Sequence, residues 1–141
     1  MSAERYSLDT NILIYAVDCE AGERHLLAMD ILDRAVDEDC VLALQVLAEF
    51  FHAVTRKGKM PPDEAAGQVA DWQLLFPVVL PRPETLQQAI AAVTTHRLSF
   101  WDAMLWATLR PARVSVLLSE DFQDGRSLDG LAFHNPFHAP R

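Results

Sequence analysis

Four acidic residues, Asp9, Glu49, Asp102 and Asp121, stand where chemistry could use them. Asp9 directly follows a short apolar segment and is itself followed by two small polar residues, in SLDTN. Asp121 follows a second apolar segment, in VLLSED. Carboxylates a few ångströms apart repel, so at least one of them would keep a proton. A hard divalent cation removes that repulsion: Mg2+, or Mn2+, takes oxygen ligands and keeps some of its waters. Two such ions about 3.5–4 Å apart make a common hydrolytic arrangement for phosphodiesters. Thr10, Asn11 and Ser119 would add hydroxyl and amide groups that orient a carboxylate, a water or a phosphate.

Each acid also has an ordinary explanation. Asp9 can cap a helix or close an Asx turn at a strand-to-helix junction. Glu49 lies off an apolar stripe, beside Gln45, His52 and Arg56, as a solvated glutamate would. Ser99 and Asp102 have the spacing of a capping box. Asp121 can be a loop acid, and Asp124 competes with it in the same loop. The chemistry therefore depends on whether the elements bring these residues together.

The elements alternate. Residues 5–8 suit a first strand, 12–17 a short apolar helix, and 23–37 a helix with apolar residues at helical spacing. Residues 41–44 read as a second strand. A helix follows over 45–57, with Val46, Leu47, Phe50, Phe51 and Val54 on one face and Gly58 able to end it. Pro61-Pro62-Asp63 starts another helix reaching about Leu75. Residues 77–80 suit a short strand and 83–96 a helix. Ser99 opens a helix that stops before Pro111. Residues 114–118 read as a buried strand, 119–130 as a polar loop and 131–133 as a last strand. Strands without two-residue alternation are buried on both faces. The reading is thus an α/β three-layer sandwich, a central, mostly parallel sheet of four or five short strands between helices. In such sheets ligands bind beyond the carboxyl ends of the strands, which is where Asp9 and Asp121 fall.

Composition narrows the classes. The 141 residues suit one domain spanning 1–141, and a chain that is 50% hydrophobic can build a real core. A net charge of −8 argues against coating nucleic acid through bulk charge, though not against an acidic cleft neutralised by metal. Arg56, Lys57 and Lys59 form a small basic group; as a group it first suggests a solvated helix end. No apolar run is long enough to span a membrane, and the start has no signal-peptide pattern. Cys19 and Cys40 offer neither a metal spacing nor a disulfide framework, so a reducing cytoplasm is the default. The histidines, His25, His52, His96, His134 and His138, lack the paired helical spacing of a zinc site, and no glycine-rich phosphate loop is present.

Four stretches together carry a family resemblance: YSLDTNILIYA, LQVLAEFFHAVTRKG, LSFWDAMLWATL and VLLSEDFQDG. In their order and spacing the chain resembles PIN-domain ribonucleases of the VapC toxin type. The resemblance implies that Asp9, Glu49, Asp102 and Asp121 are the catalytic, metal-binding acids, with Thr10, Asn11 and Ser119 in support. It implies a Mg2+-dependent endoribonuclease that hydrolyses RNA by metal-activated water, with Arg56, Lys57 and Lys59 as candidate contacts to the RNA backbone. It also implies a small VapB-type antitoxin that blocks the acidic cleft, and a homodimer. Trp72, Leu75, Trp101 and Trp106 could serve an interface, although a core place is the plainer reading of each.

Two other classes stay open. Asp9 could be the nucleophile of a phosphatase-type enzyme, but Asn11 stands where such enzymes carry a second aspartate, and no lysine is evident to pair with the phosphate. The chain could also be a non-catalytic PIN-like interaction domain, its acids only caps and surface charges.

Overall fold

The fold comes from a computed structural model that describes residues 4–138. The elements, in chain order, are β1 (Tyr6–Leu8), α1 (Thr10–Val17), α2 (Glu23–Ala35), β2 (Cys40–Ala43), α3 (Leu44–Arg56), α4 (Pro62–Leu75), β3 (Val78–Val79), α5 (Pro83–Thr95), α6 (Phe100–Leu109), β4 (Val116–Leu118), β5 (Ser127–Leu128) and β6 (Leu131–His134). The six strands lie in the order β3-β2-β1-β4-β6-β5. All neighbouring pairs are parallel except β5 with β6. The fold is thus α/β, as its sequence pattern implies, with helices against a mostly parallel sheet.

β1 and β2 behave as the apolar pattern demands. All four residues of β2 are buried, so both of its faces are covered. α3 follows β2 without a loop, and Leu44, read from sequence as the end of the strand, opens the helix instead. α3 buries Val46, Leu47, Phe50 and Val54, one apolar stripe. Phe50 meets Trp72 of α4 edge to face, with ring centroids 4.8 Å apart. α4 starts on Pro62, whose fixed φ suits a first turn.

The structure departs from the sequence reading at further places. The segment 119–130 is not all loop, because Ser127–Leu128 forms β5. The turn to β6 uses Asp129 and Gly130, both at positive φ, the backbone that a two-residue Asp-Gly hairpin requires. The sheet therefore has six strands, not four or five. α6 ends at Leu109, but the chain continues as a 3-10 turn over Arg110–Ala112 that contains Pro111. Trp72 and Trp106 are core residues, whereas Leu75 and Trp101 are exposed. Among the described residues no helix is long and apolar enough to cross a membrane.

Strand order decides where a site can form. From β1 the chain builds outwards through β2 to β3 on one side, and β4 then returns to the other side of β1. That reversal opens a crevice at the carboxyl ends of β1 and β4. Leu8 is paired with Leu118, so the residues after them, Asp9 and Ser119, emerge side by side. The Asp9 N–H donates to the Leu118 carbonyl at 2.9 Å, closing the junction.

Candidate active site

Asp9 is 6% exposed at the start of α1. Oδ1 accepts from the Thr10 N–H at 2.7 Å and Oδ2 from the Ser119 hydroxyl at 2.6 Å. Burial raises its carboxyl from 3.8 to about 6; the bonds from Ser119 and Thr10 work against that shift, and the charges of Asp121 and Asp102 add to it. The Ser119 Oγ also accepts the Asp121 N–H at 3.1 Å. One buried hydroxyl thus ties two acids that are far apart in the chain.

Asp121 is exposed at the edge of the crevice. Asn11 Nδ2 donates to both of its oxygens, at 3.2 and 3.1 Å. Desolvation by the atoms behind it raises the Asp121 carboxyl, Asp102 and Glu120 push it the same way, and the Asn11 bond opposes them. Asp124 lies elsewhere. It accepts from the Asn135 N–H at 2.9 Å and pairs with His134 and His138, which holds the C-terminal segment.

Glu49 and Asp102 come from α3 and α6. Gln45 Nε2 donates both to Glu49 Oε1 and to the Trp101 carbonyl, each at 3.0 Å, and so joins the two helices. The Ser99 hydroxyl accepts the Asp102 N–H at 3.4 Å, half of a capping box. The returning bond is not made among the described residues, and the Asp102 carboxylate is left facing the cleft. Asp9, Glu49, Asp102 and Asp121 all line one cleft of about 700 Å3, together with Thr10 and Asn11. Ser119 is buried beneath them. Arg56 and Lys57 line the same cleft, as does His52. Lys59 is not brought there: its Nζ lies 2.7 Å from Asp18 Oδ2, outside the cleft wall.

The donor set is oxygen only, which is what Mg2+ or Mn2+ takes. The Thr10 hydroxyl is buried at the cleft without any hydrogen-bond partner. With the upward push on Asp9 and Asp121, this is the pattern of a site that a cation would complete. The carboxylates themselves are spread: among the described residues no three acidic, histidine or cysteine side chains already stand close enough to hold a metal ion.

Two features of the site are not singled out by the sequence pattern. Gln45, four residues before Glu49 on the same helix face, is the bridge to α6. Glu120 is braced on the far side of the loop, where Tyr15 Oη donates to it at 2.6 Å and Arg24 Nε at 2.7 Å. Glu49 and Gln45 share an i, i+4 spacing that was legible; the Glu120 brace joins three separate segments and left no local signal.

The comparisons with known proteins agree with this architecture. No curated protein matches the sequence significantly. Among solved structures, a toxin–antitoxin complex from Klebsiella pneumoniae is similar, with a TM-score of 0.68 at 19% identity over 95% of this chain and 99% of that one. The toxin VapC20 of Mycobacterium tuberculosis, described as cleaving the sarcin-ricin loop, has a TM-score of 0.66 at 19% identity over 82% of this chain and 91% of its own. VapBC2 of Rickettsia felis, bound to a promoter DNA fragment, has a TM-score of 0.68 at 13% identity over 92% and 97%. At such identities these structures speak for the fold. The profile of the PIN domain matches residues 6–123, most of the chain and all four acids, and the chain therefore belongs to the PIN domain family.

Proposed function

We propose that this protein is a divalent-metal-dependent endoribonuclease that acts as the toxin of a toxin–antitoxin pair in the cytoplasm. The observation that carries the reading is the meeting of Asp9, Glu49, Asp102 and Asp121 on one cleft, from four separate segments of the chain. Bound Mg2+ or Mn2+ would supply an activated water and stabilise the charge developing on a phosphodiester. The chain's own residues do the rest. The four carboxylates would hold the cation and Arg56 and Lys57 the backbone phosphates, while Ser119 fixes Asp9 and Asn11 fixes Asp121. Lys59 joins them only by leaving Asp18.

Membership of the PIN family supports a nuclease, and the structural neighbours described as toxin–antitoxin complexes support an antitoxin partner. Our reading places that partner over the acidic cleft. A homodimer belongs to the same reading. One observation favours the competing reading of a non-catalytic interaction domain: among the described residues the carboxylates do not stand in a closed metal-holding group.

The test is to incubate the purified chain with total RNA in Mg2+ and map new ends, in parallel with Asp9→Asn and Asp102→Asn, and to induce the same three proteins in growing cells. Discrete cuts and growth arrest are expected from the native chain. Both variants lose more than the ~10- to 100-fold that residues behind the metal ligands typically carry. Arrest that persists in both variants with intact RNA would overturn the nuclease reading in favour of the interaction domain.

A further inference from the structure

Trp101 is out of place for a tryptophan. The chain's other two, Trp72 and Trp106, are 4% and 3% exposed, but Trp101 is 61% exposed. Leaving so large an apolar ring in water forgoes a substantial hydrophobic gain. The ring belongs to the residue directly before Asp102 and is, among the described residues, the one Trp, Tyr or Phe on the cleft wall. It is held on a fixed stem: Gln45 Nε2 bonds its carbonyl at 3.0 Å, and Phe100 meets it edge to face with centroids 4.9 Å apart.

The wall formed by α3 has a chemical order. Gln45 stands at the Trp101 end, Glu49 follows one turn on, and Arg56 and Lys57 line the cleft at the other end. At a rise of 1.5 Å per residue, Gln45 to Arg56 spans ~16 Å. An aromatic face, a carboxylate and a cationic pair therefore follow one another along the cleft. That sequence matches a base, a phosphodiester over the acids, and the next stretch of phosphate backbone. The cleft around the ring is mixed: Leu44, Ala48, Pro81 and Met104 line it together with Glu49 and Asp102, so an apolar wall that suits a base lies beside acids that suit a metal-bound phosphate.

We infer that Trp101 is a stacking platform for one unpaired base next to the scissile phosphate. This rests on the ribonuclease reading and adds a residue that positions the substrate. A base inside an A-form duplex is already stacked and cannot lie on the ring, while unpaired bases stack on aromatic side chains readily.

The test is a binding titration with Ca2+ replacing Mg2+, using octaadenylate, octauridylate and a blunt 12-base-pair RNA duplex as probes. The RNA is recovered and confirmed intact. Affinity is read in every protein from the anisotropy of end-labelled RNA, and in the native chain the fluorescence of Trp101, its exposed tryptophan, reads the contact itself. Saturable quenching by the octamers and none by the duplex is expected. Trp101→Leu should bind the octamers about 5- to 150-fold more weakly, the range of one base–aromatic stack, and Trp101→Phe should keep most of the affinity. Octamers carrying one abasic nucleotide at successive positions complete the cycle. At one position the missing base should cost the native chain the same factor and cost Trp101→Leu nothing. Equal affinity of native chain and Trp101→Leu would overturn the stack, as would an abasic penalty that survives in the variant, or loss of dimer by Trp101→Leu with RNA affinity unchanged. Binding without any cleavage of total RNA in Mg2+ would sink the nuclease reading and leave the stack standing. Cleavage with an unaffected Trp101→Leu would do the reverse.

Discussion

Asp9 is buried, accepts two hydrogen bonds and has two acidic neighbours, and these features give it a definite pH behaviour. Its carboxyl lies at about 6 in the fold against 3.8 for the free group. Between about pH 4 and 6 the folded chain therefore holds a proton that the unfolded chain has released. Stability falls as the pH rises through that window, and at neutral pH the ionised Asp9 costs about 3 kcal/mol. Without divalent metal, the melting temperature of Asp9→Asn relative to the native chain should climb from pH 4 to 6 and level off above it. The slope is the readout, because an Asn amide cannot accept from both Ser119 and Thr10. Adding Mg2+ or Mn2+ should raise the melting temperature of the native chain and leave Asp9→Asn unmoved. A gap that does not change with pH would mean that Asp9 is not desolvated. Ser119→Ala removes the hydroxyl that joins Asp9 to the Asp121 amide, and RNA cleavage should fall ~10- to 100-fold. Unchanged cleavage in that variant would show that the bridge does not position the acids.

At the scale of elements, the loop after β4 is fixed from both sides. Ser119 and Asn11 hold it from the cleft, and Tyr15 of α1 with Arg24 of α2 holds Glu120 from behind. Burial alone would raise Glu120, but the bonds from Tyr15 and Arg24 and the guanidinium charge win and hold it below its ordinary range. Glu120 is among the charges that raise Asp121, so Arg24 moderates that repulsion as well as the loop position. Arg24→Gln should keep the fold, since the guanidinium stands at the surface and an ion pair there adds little to stability. It should raise the Mg2+ concentration needed for half-maximal cleavage several-fold. A Mg2+ titration that superimposes on that of the native chain would reduce the brace to a surface contact. Sequence neighbours can part company at this scale too. Lys59 adjoins Arg56 and Lys57 in the chain, but Gly58 takes a left-handed φ of 69° and the Lys59 N–H closes on the Val54 carbonyl. That turn directs Lys59 to Asp18 and away from the cleft.

The whole molecule is held by a core in which Phe50 is fully buried against Trp72. Phe50→Ala should cost about 3–5 kcal/mol in urea denaturation, because the rigid helix pair cannot close the cavity. Leu74, 86% exposed on α4, should tolerate serine within about 0.5 kcal/mol. Equal losses at the two positions would contradict the burial pattern.

The sequence by itself determined the elements and the kinds of chemistry open to them. Apolar spacing fixed α3 and the buried β2, and prolines and glycines marked most of the ends, because those signals act over a few residues. β5 was not read from the sequence: Asp129-Gly130 is a hairpin turn signal, but two strand residues inside a polar stretch gave too little pattern to outweigh the loop composition around them. What only the tertiary structure decided was which residues meet. Asp9 and Asp121 become neighbours through the Leu8–Leu118 register, and Asp102 faces the cleft because its capping box is only half formed. Trp101 and Trp106 read alike in the sequence, as core or interface, and only packing buried Trp106 and left Trp101 in solvent. Contacts between distant segments depend on strand order and on what each surface finds opposite it, and no local run of side chains carries that information.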